Sequence, residues 1–296
     1  MRGDGERATL AAFLLGAALA GGNAVAVRFS NRGLDPLWGA GLRFALAAAI
    51  FLGLVLALRL SFPRGRALAG ALLWGLIQFA ATFALMYYAF VELHAGFGQI
   101  LLALVPLLTV LLAAAQGEEP VRLQSLVGAV TAVAGVAIMT SASLEESPPI
   151  LSVLAGLGGA LCFAESAVLV RILPPVHPVT MNAVGMSAGS AALLLGAAVI
   201  GESFVLPDDA STWTALVYLV TLGSVGVFLL YLFVLGRWTA SRVAYSFLLS
   251  PIVSILLSVW LDDEPVGPGL VLGGLLVLGG VYIGALRARS AEPIPR

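Results

Sequence analysis

Residues Ala95 to Thr140 read AGFGQILLALVPLLTVLLAAAQGEEPVRLQSLVGAVTAVAGVAIMT: an apolar run holding one proline, Pro106, a stop at Glu118-Glu119-Pro120, and a second apolar run. Shifted by 145 residues without a gap, Ala240 to Ala285 falls underneath. Leu104, Pro106, Leu111 and Leu112 then match Leu249, Pro251, Leu256 and Leu257, and Glu119-Pro120-Val121 matches Glu264-Pro265-Val266. Gly128, Gly135, Val136 and Ile138 match Gly273, Gly280, Val281 and Ile283. Shared leucines carry little weight in so apolar a chain. A shared mid-run proline, a shared Glu-Pro-Val stop and two shared glycines in one register indicate two copies of one unit.

Of the 296 residues 60% are hydrophobic and 10% charged. Soluble domains carry about 25% charge, so this chain cannot coat a water-facing surface and reads as an integral membrane protein. The net charge of −1 gives no reason to expect a nucleic-acid partner. The single cysteine, Cys162, excludes an internal disulfide, and with only His94 and His177 there is no Cys or His cluster for a metal. No Gly-rich loop with Lys-Ser/Thr is present, so neither a nucleotide nor any other cofactor is expected. Arg2, Arg7 and an apolar run ending at Ala18-Leu19-Ala20 have the outline of a cleavable signal peptide. Asp4 and Glu6 run against that, and the apolar run continues to Val27, so a retained first helix is expected.

A spanning helix needs about 20 mostly apolar residues. Ten segments qualify: about 8–28, 36–58, 67–90, 95–116, 123–141, 150–170, 178–200, 211–235, 239–261 and 267–286. Short connections carry the turn-formers, and polar residues do not alternate with apolar ones as a barrel requires. The arginines set the orientation. With the N-terminus inside, Arg2, Arg7, Arg59, Arg64, Arg66, Arg122, Arg171, Arg237, Arg242, Arg287, Arg289 and Arg296 lie inside, and only Arg28 and Arg32 outside. Five helices per copy is an odd number, so the second copy enters from the opposite face. The expected fold is all-α and integral to the membrane: ten transmembrane helices as two inverted five-helix repeats, residues 1–142 and 143–296, with both termini cytoplasmic.

These residues resemble the EamA group of the drug/metabolite transporter superfamily, whose hallmark is a duplicated five-helix unit. The resemblance lies in Gly39-Ala-Gly-Leu-Arg43-Phe-Ala-Leu-Ala47, Tyr87-Tyr-Ala-Phe90, Leu101-Leu-Ala-Leu-Val-Pro106 with its Glu-Glu-Pro stop, Ala240-Ser-Arg-Val-Ala244, and Leu248-Leu-Ser-Pro251 through Glu264-Pro265. It covers essentially the whole chain. It implies a bacterial inner-membrane carrier of small organic solutes, an exporter as many relatives are. Glu165 departs from the apolar or aromatic residue expected at its place in the sixth helix.

Pro106 and Pro251 each remove a backbone donor near the bilayer midplane and free the carbonyl four residues back. They read as kinks of two gate helices or as static packing kinks. Glu119 and Glu264, at helix C-terminal ends, read as structural stops, paired with loop arginines or solvated. Arg43 lies roughly 10 Å deep; Glu92 is its expected partner in a structural ion pair between helices 2 and 3, the alternative being a contact to a substrate carboxylate. Glu165 is the one acid well inside a predicted span. With Asp35-Pro36 aligned to His177-Pro178, it falls under Asn23, so the two polar side chains lie on opposite sides of the midplane. Glu165 is either a cavity acid that exchanges protons or a rim acid. Gln78, Tyr88, Gln99 and Tyr245 are further candidates for the pathway, within a polar inventory that includes Tyr87, Asn182 and Tyr231. Gly269, Gly273, Gly280 and Gly284 form one small-residue face, pairing with helix 5 through Gly128 and Gly135 or with a second protomer as a homodimer.

The chain therefore reads as a non-enzymatic secondary transporter of a small organic metabolite, such as an amino acid or related compound. It would lie in the lipid bilayer of a bacterial cytoplasmic membrane, work by alternating access, and use Glu165 if it is proton-coupled. An uncoupled facilitator or lipid-handling protein of the same fold is the first alternative. An intramembrane enzyme is the second, though no HExxH or GxSxG is present.

Overall fold

The structure, a computed structural model, describes residues 2–92, 101–139, 149–250, 252–253 and 268–286. All regular structure among them is helical. α1 spans Arg2–Ser30 and α2 Pro36–Ala57. α3 runs unbroken through three pieces: α-helix Arg66–Gly75, π-helix Leu76–Ala81 and α-helix Thr82–Glu92. α4 is Val105–Ala115, α5 Leu123–Met139, α6 Ile150–Ile172 and α7 Pro178–Ile200. α8 repeats the pattern of α3, with Ala210–Val220, a π-helix Thr221–Gly226 and Val227–Leu235. α9 begins at Ala240–Ala244, and α10 is Pro268–Val281 followed by a π-helical Tyr282–Leu286. Among the described residues six helices (α1, α2, α3, α6, α7 and α8) are long and apolar enough to cross a membrane, and shorter apolar helices accompany them. At 1.5 Å per residue, the 22 residues of α2 reach about 33 Å, enough for a hydrocarbon core of about 30 Å. The chain is a multi-pass membrane protein. Where described, the helices fall on the predicted segments to within a few residues.

The ends explain why the apolar runs stop there. Pro36 and Pro178 sit in first turns, where a missing N–H costs nothing. Asp209 and Thr239 cap α8 and α9 by accepting the backbone N–H of Thr212 and Arg242. α7 ends at Gly201, whose φ of 81° is left-handed and suits a residue without Cβ.

Helix α2 packs along α7, α5 along α10, α3 against α6, and α1 against α8; α4 touches α6 and α9. The α5–α10 contact is made by glycines. A Cβ on Gly128 would meet the backbone of Gly280 and Gly284, and one on Gly135 the backbone of Gly273 and Val277. The small-residue face of α10 is thus used within the chain, on α5.

Loops are tied in pairs. Glu202, after α7, accepts the first N–H groups of α2 from Leu37 at 3.1 Å and Trp38 at 2.6 Å, while Ser203 donates its N–H to Asp35. Arg171, at the end of α6, donates to the carbonyls of Leu235 and Trp238 after α8. Glu119, after α4, accepts the N–H of Ser241 in the first turn of α9. An anion there favours the positive helix end, so Glu119 works for α9 as well as stopping α4.

Helical bonding in the fourth segment lapses at Leu104, whose N–H goes back three residues to Leu101, and Pro106 falls in the first turn of the helix that resumes at Val105. Helix lies on both sides of the lapse, over residues 101–103 and from Val105 on, so the local break sits two residues before Pro106. A similar lapse in α9 falls at Tyr245. Pro251, Glu264 and Gln99 lie outside the described residues.

Candidate functional site

The centre of the bundle is organised by the two π-helical stretches. A π turn is wider than an α turn and displaces its carbonyls from ordinary intrahelical bonding. Leu76–Ala81 and Thr221–Gly226 are 145 residues apart, the register of the internal repeat. Gln78 therefore corresponds to Gly223 and Phe79 to Ser224.

Both stretches receive polar side chains from other helices. The carbonyl of Gly223 accepts Asn23 Nδ2 of α1 at 3.1 Å and an Nη of Arg43 of α2 at 2.9 Å. Arg43 Nε donates to Ser224 Oγ at 2.8 Å. In the other π stretch, Ser166 of α6 donates its hydroxyl to the Gln78 side-chain oxygen. Thus α1 reaches position 223 and α6 position 78, the same place in the two copies. Asn182 of α7 donates to the carbonyl of Phe228, just beyond the second π stretch, at 3.2 Å.

Glycine is required where the helices meet these stretches. A Cβ on Gly223 would run into the carboxamide oxygen of Asn23, and one on Gly185 of α7 would lie 2.7 Å from the Trp74 ring. Aromatic rings fill the rest. Phe44 lies 5.0 Å from Phe79, 4.6 Å from Phe83 and 6.3 Å from Phe228. The chain of rings continues through Tyr231 and Phe163 to Phe247 on α9. The Arg43 guanidinium sits over two of them, 5.0 Å from the Phe44 centroid and 5.6 Å from that of Phe83.

Several buried polar atoms in this region have no hydrogen-bond partner: Asn23 Oδ1, Trp74 Nε1, Gln78 Nε2, Asn182 Oδ1 and the Tyr231 hydroxyl. Unpaired polar atoms in a protein interior cost on the order of 1–3 kcal/mol each. Their concentration around the π stretches marks a place able to hydrogen-bond a polar solute.

Of the residues singled out from sequence, Asn23, Arg43 and Gln78 come together here, and four others do not. Arg43 is not paired with Glu92: its fork is used on α8, and Glu92 accepts the Ser152 hydroxyl in the first turn of α6. Tyr88 is exposed, and it is the adjacent Tyr87 that is buried against Arg43. Tyr245 is wholly buried but donates its hydroxyl to the Ser125 carbonyl, tying α9 to α5. Glu165 lies seven residues from the end of α6 and accepts Gln116 Nε2 of the α4 end at 2.7 Å, away from the central cluster. Asn23 lies equally far from the end of α1. Ser166, Gly223 and Ser224 escaped the sequence reading, because nothing in their local composition sets them apart. The 145-residue shift applied to Gln78 would have found the last two.

Comparison with known proteins fits this architecture. The EamA-like transporter family matches twice, over residues 7–141 and 150–285. The "Probable amino-acid metabolite efflux pump" of Escherichia coli (strain K12) is 27% identical over 285 residues, covering 92% of this chain and 93% of that protein. The "Probable terminal-alkyne amino-acid exporter" of Streptantibioticus cattleyicolor is 27% identical over 259 residues, 85% of each chain. One protein crystal structure superposes with a TM-score of 0.79 at 20% identity, covering 96% of this chain and 98% of that one, a likeness of fold alone. With the family matching nearly the whole chain in two successive copies, this protein belongs to the EamA-like transporter family.

Proposed function

We propose that this protein is a secondary transporter that exports a small amino-acid-like metabolite across the cytoplasmic membrane by alternating access, through the cluster between the two π stretches. It is built as ten transmembrane helices in two inverted five-helix repeats, 1–142 and 143–296, with both termini in the cytoplasm. The observation that carries the reading is the placement of two π stretches in one repeat register, each bonded by the first helix of the other copy. The packing supports the inverted repeat. Exchanging the copies turns the α1–α8 contact into α6–α3, and leaves α2–α7, α5–α10 and α4–α9 as themselves. Every loop tie joins ends that this topology puts on one face. The names of the relatives support export and the solute class.

Glu165 lies toward the inner end on Gln116 and not among the central groups. That favours a second reading of the energetics, in which flux follows the solute gradient without a proton. Metabolite profiles of medium and cytoplasm, with and without the protein expressed, test the function. Movement of amino-acid-like solutes into the medium is expected, and an unchanged distribution would refute it. Repeating the measurement with the proton gradient collapsed separates coupled from uncoupled flux.

A further inference from the structure

Arg43 is 1% exposed, and the groups it hydrogen-bonds are neutral: the Ser224 hydroxyl and the Gly223 carbonyl. Among the described residues no Asp or Glu bonds it. A buried charge is normally matched by an opposite one, because neutral dipoles and ring faces offset only part of its lost hydration. A guanidinium is also the side chain whose planar fork fits a carboxylate through two parallel bonds. Around this cation stand the apolar rings of Phe44 and Phe83, with Phe79 and Phe228 beyond them. The polar atoms left over nearby, Gln78 Nε2 and Asn23 Oδ1, are uncharged amide groups. The described cluster thus offers a cation and apolar walls, and no carboxylate to hold an ammonium.

We infer that Arg43 anchors the carboxylate of the transported solute, and that the site takes a small carboxylate with an apolar body without reading an ammonium on it. The entering carboxylate exchanges with the Gly223 carbonyl and the Ser224 hydroxyl for the fork of Arg43. Loading the site and loosening α2 from the π stretch of α8 are then one event. This rests on the transporter reading, which it deepens by naming the solute class.

Three probes separate the two ends of an amino acid: leucine, 4-methylpentanoate, which lacks the amine, and 3-methylbutylamine, which lacks the carboxylate. Binding of each to the full chain in lipid nanodiscs is measured by calorimetry. Leucine and 4-methylpentanoate are expected to bind alike and the amine at least about tenfold more weakly. Arg43→Lys should keep part of the carboxylate affinity, and Arg43→Gln should lose at least about tenfold. Should Arg43→Gln not fold, the wild-type comparison decides alone. The inference is overturned if the amine binds as well as leucine, if 4-methylpentanoate fails where leucine binds, if none of the three binds, or if Arg43→Gln folds and keeps full carboxylate affinity. Carboxylate binding without export by expressing cells would instead sink the transporter reading and leave the role of Arg43 standing.

Discussion

Helix α10 carries adjacent glycines with opposite surroundings, which allows an internally controlled test of the α5–α10 contact. A Cβ on Gly279 meets nothing within 4 Å, whereas one on Gly280 would lie 2.7 Å from the Ala132 methyl and 2.8 Å from its backbone nitrogen, and closer still to the Gly128 carbonyl. Bringing the 2.7 Å contact out to the 3.4 Å of ordinary packing needs about 0.7 Å, and the backbone carbonyl asks for more. Both Gly→Ala changes gain roughly 1 kcal/mol of helix propensity. Only Gly280→Ala also suffers overpacking, which costs about 1–3 kcal/mol. The two variants should therefore differ by about 2 kcal/mol, or roughly 4–8 °C in Tm at about 2–4 °C per kcal/mol for a large domain. Thermal unfolding of the detergent-solubilised proteins, read by size-exclusion chromatography, measures this. The gap should persist on dilution, because the contact lies within one chain. Equal melting temperatures, or a gap that vanishes on dilution, would refute the reasoning.

Gly223→Ala puts a methyl on the Asn23 carboxamide and should abolish export while the protein still inserts; export at the wild-type rate would show that the contact is dispensable. Glu202→Ala strips the first N–H groups of α2 of their acceptor and should cost about 1 kcal/mol, read as a lowered Tm. Asp209 accepts bonds from Ser211 and from the N–H and hydroxyl of Thr212, which hold its carboxyl well below the ordinary 3.8. A carboxyl lowered by folding adds stability above its unfolded value, and that stability is lost as pH falls through the folded one. The Tm advantage of wild type over Asp209→Asn should therefore shrink as pH falls from about 6 to about 3, and a constant advantage would contradict the assignment. In a Cys162→Ser background, Ser211→Cys should react with an impermeant thiol reagent from outside and Arg64→Cys should not; the reverse pattern would invert the orientation.

The helices were legible because a bilayer leaves an apolar run few options: the backbone must satisfy itself, and the run length sets the span. The glycine face of α10 was legible too, though its partner was settled only by the close approach of Gly128 and Gly135 to it. The neighbours of Arg43 were not. A search for an opposite charge leads to Glu92, one helix away, whereas the guanidinium bonds groups 180 and 181 residues later in the chain. The π stretches were equally silent, since LIQFAA and TLGSVG have no residue in common at matching positions. Of two neighbouring tyrosines, only the direction of α3 tells that Tyr87 faces inward. Glu165 stayed open between cavity and rim, because an acid in a span allows either and nothing in the sequence shows that Gln116 comes to meet it.

The span of 180 residues between Arg43 and its acceptors on α8 also has a consequence for synthesis. At about 5–20 residues per second, α2 enters the bilayer roughly 10–40 s before the Gly223 carbonyl exists. During that wait the guanidinium has no native acceptor on α8, and a buried charge without one is costly. The bonds of Arg43 to Gly223 and Ser224 therefore form only once the second copy has been made, and something other than α8 must offset the charge until then.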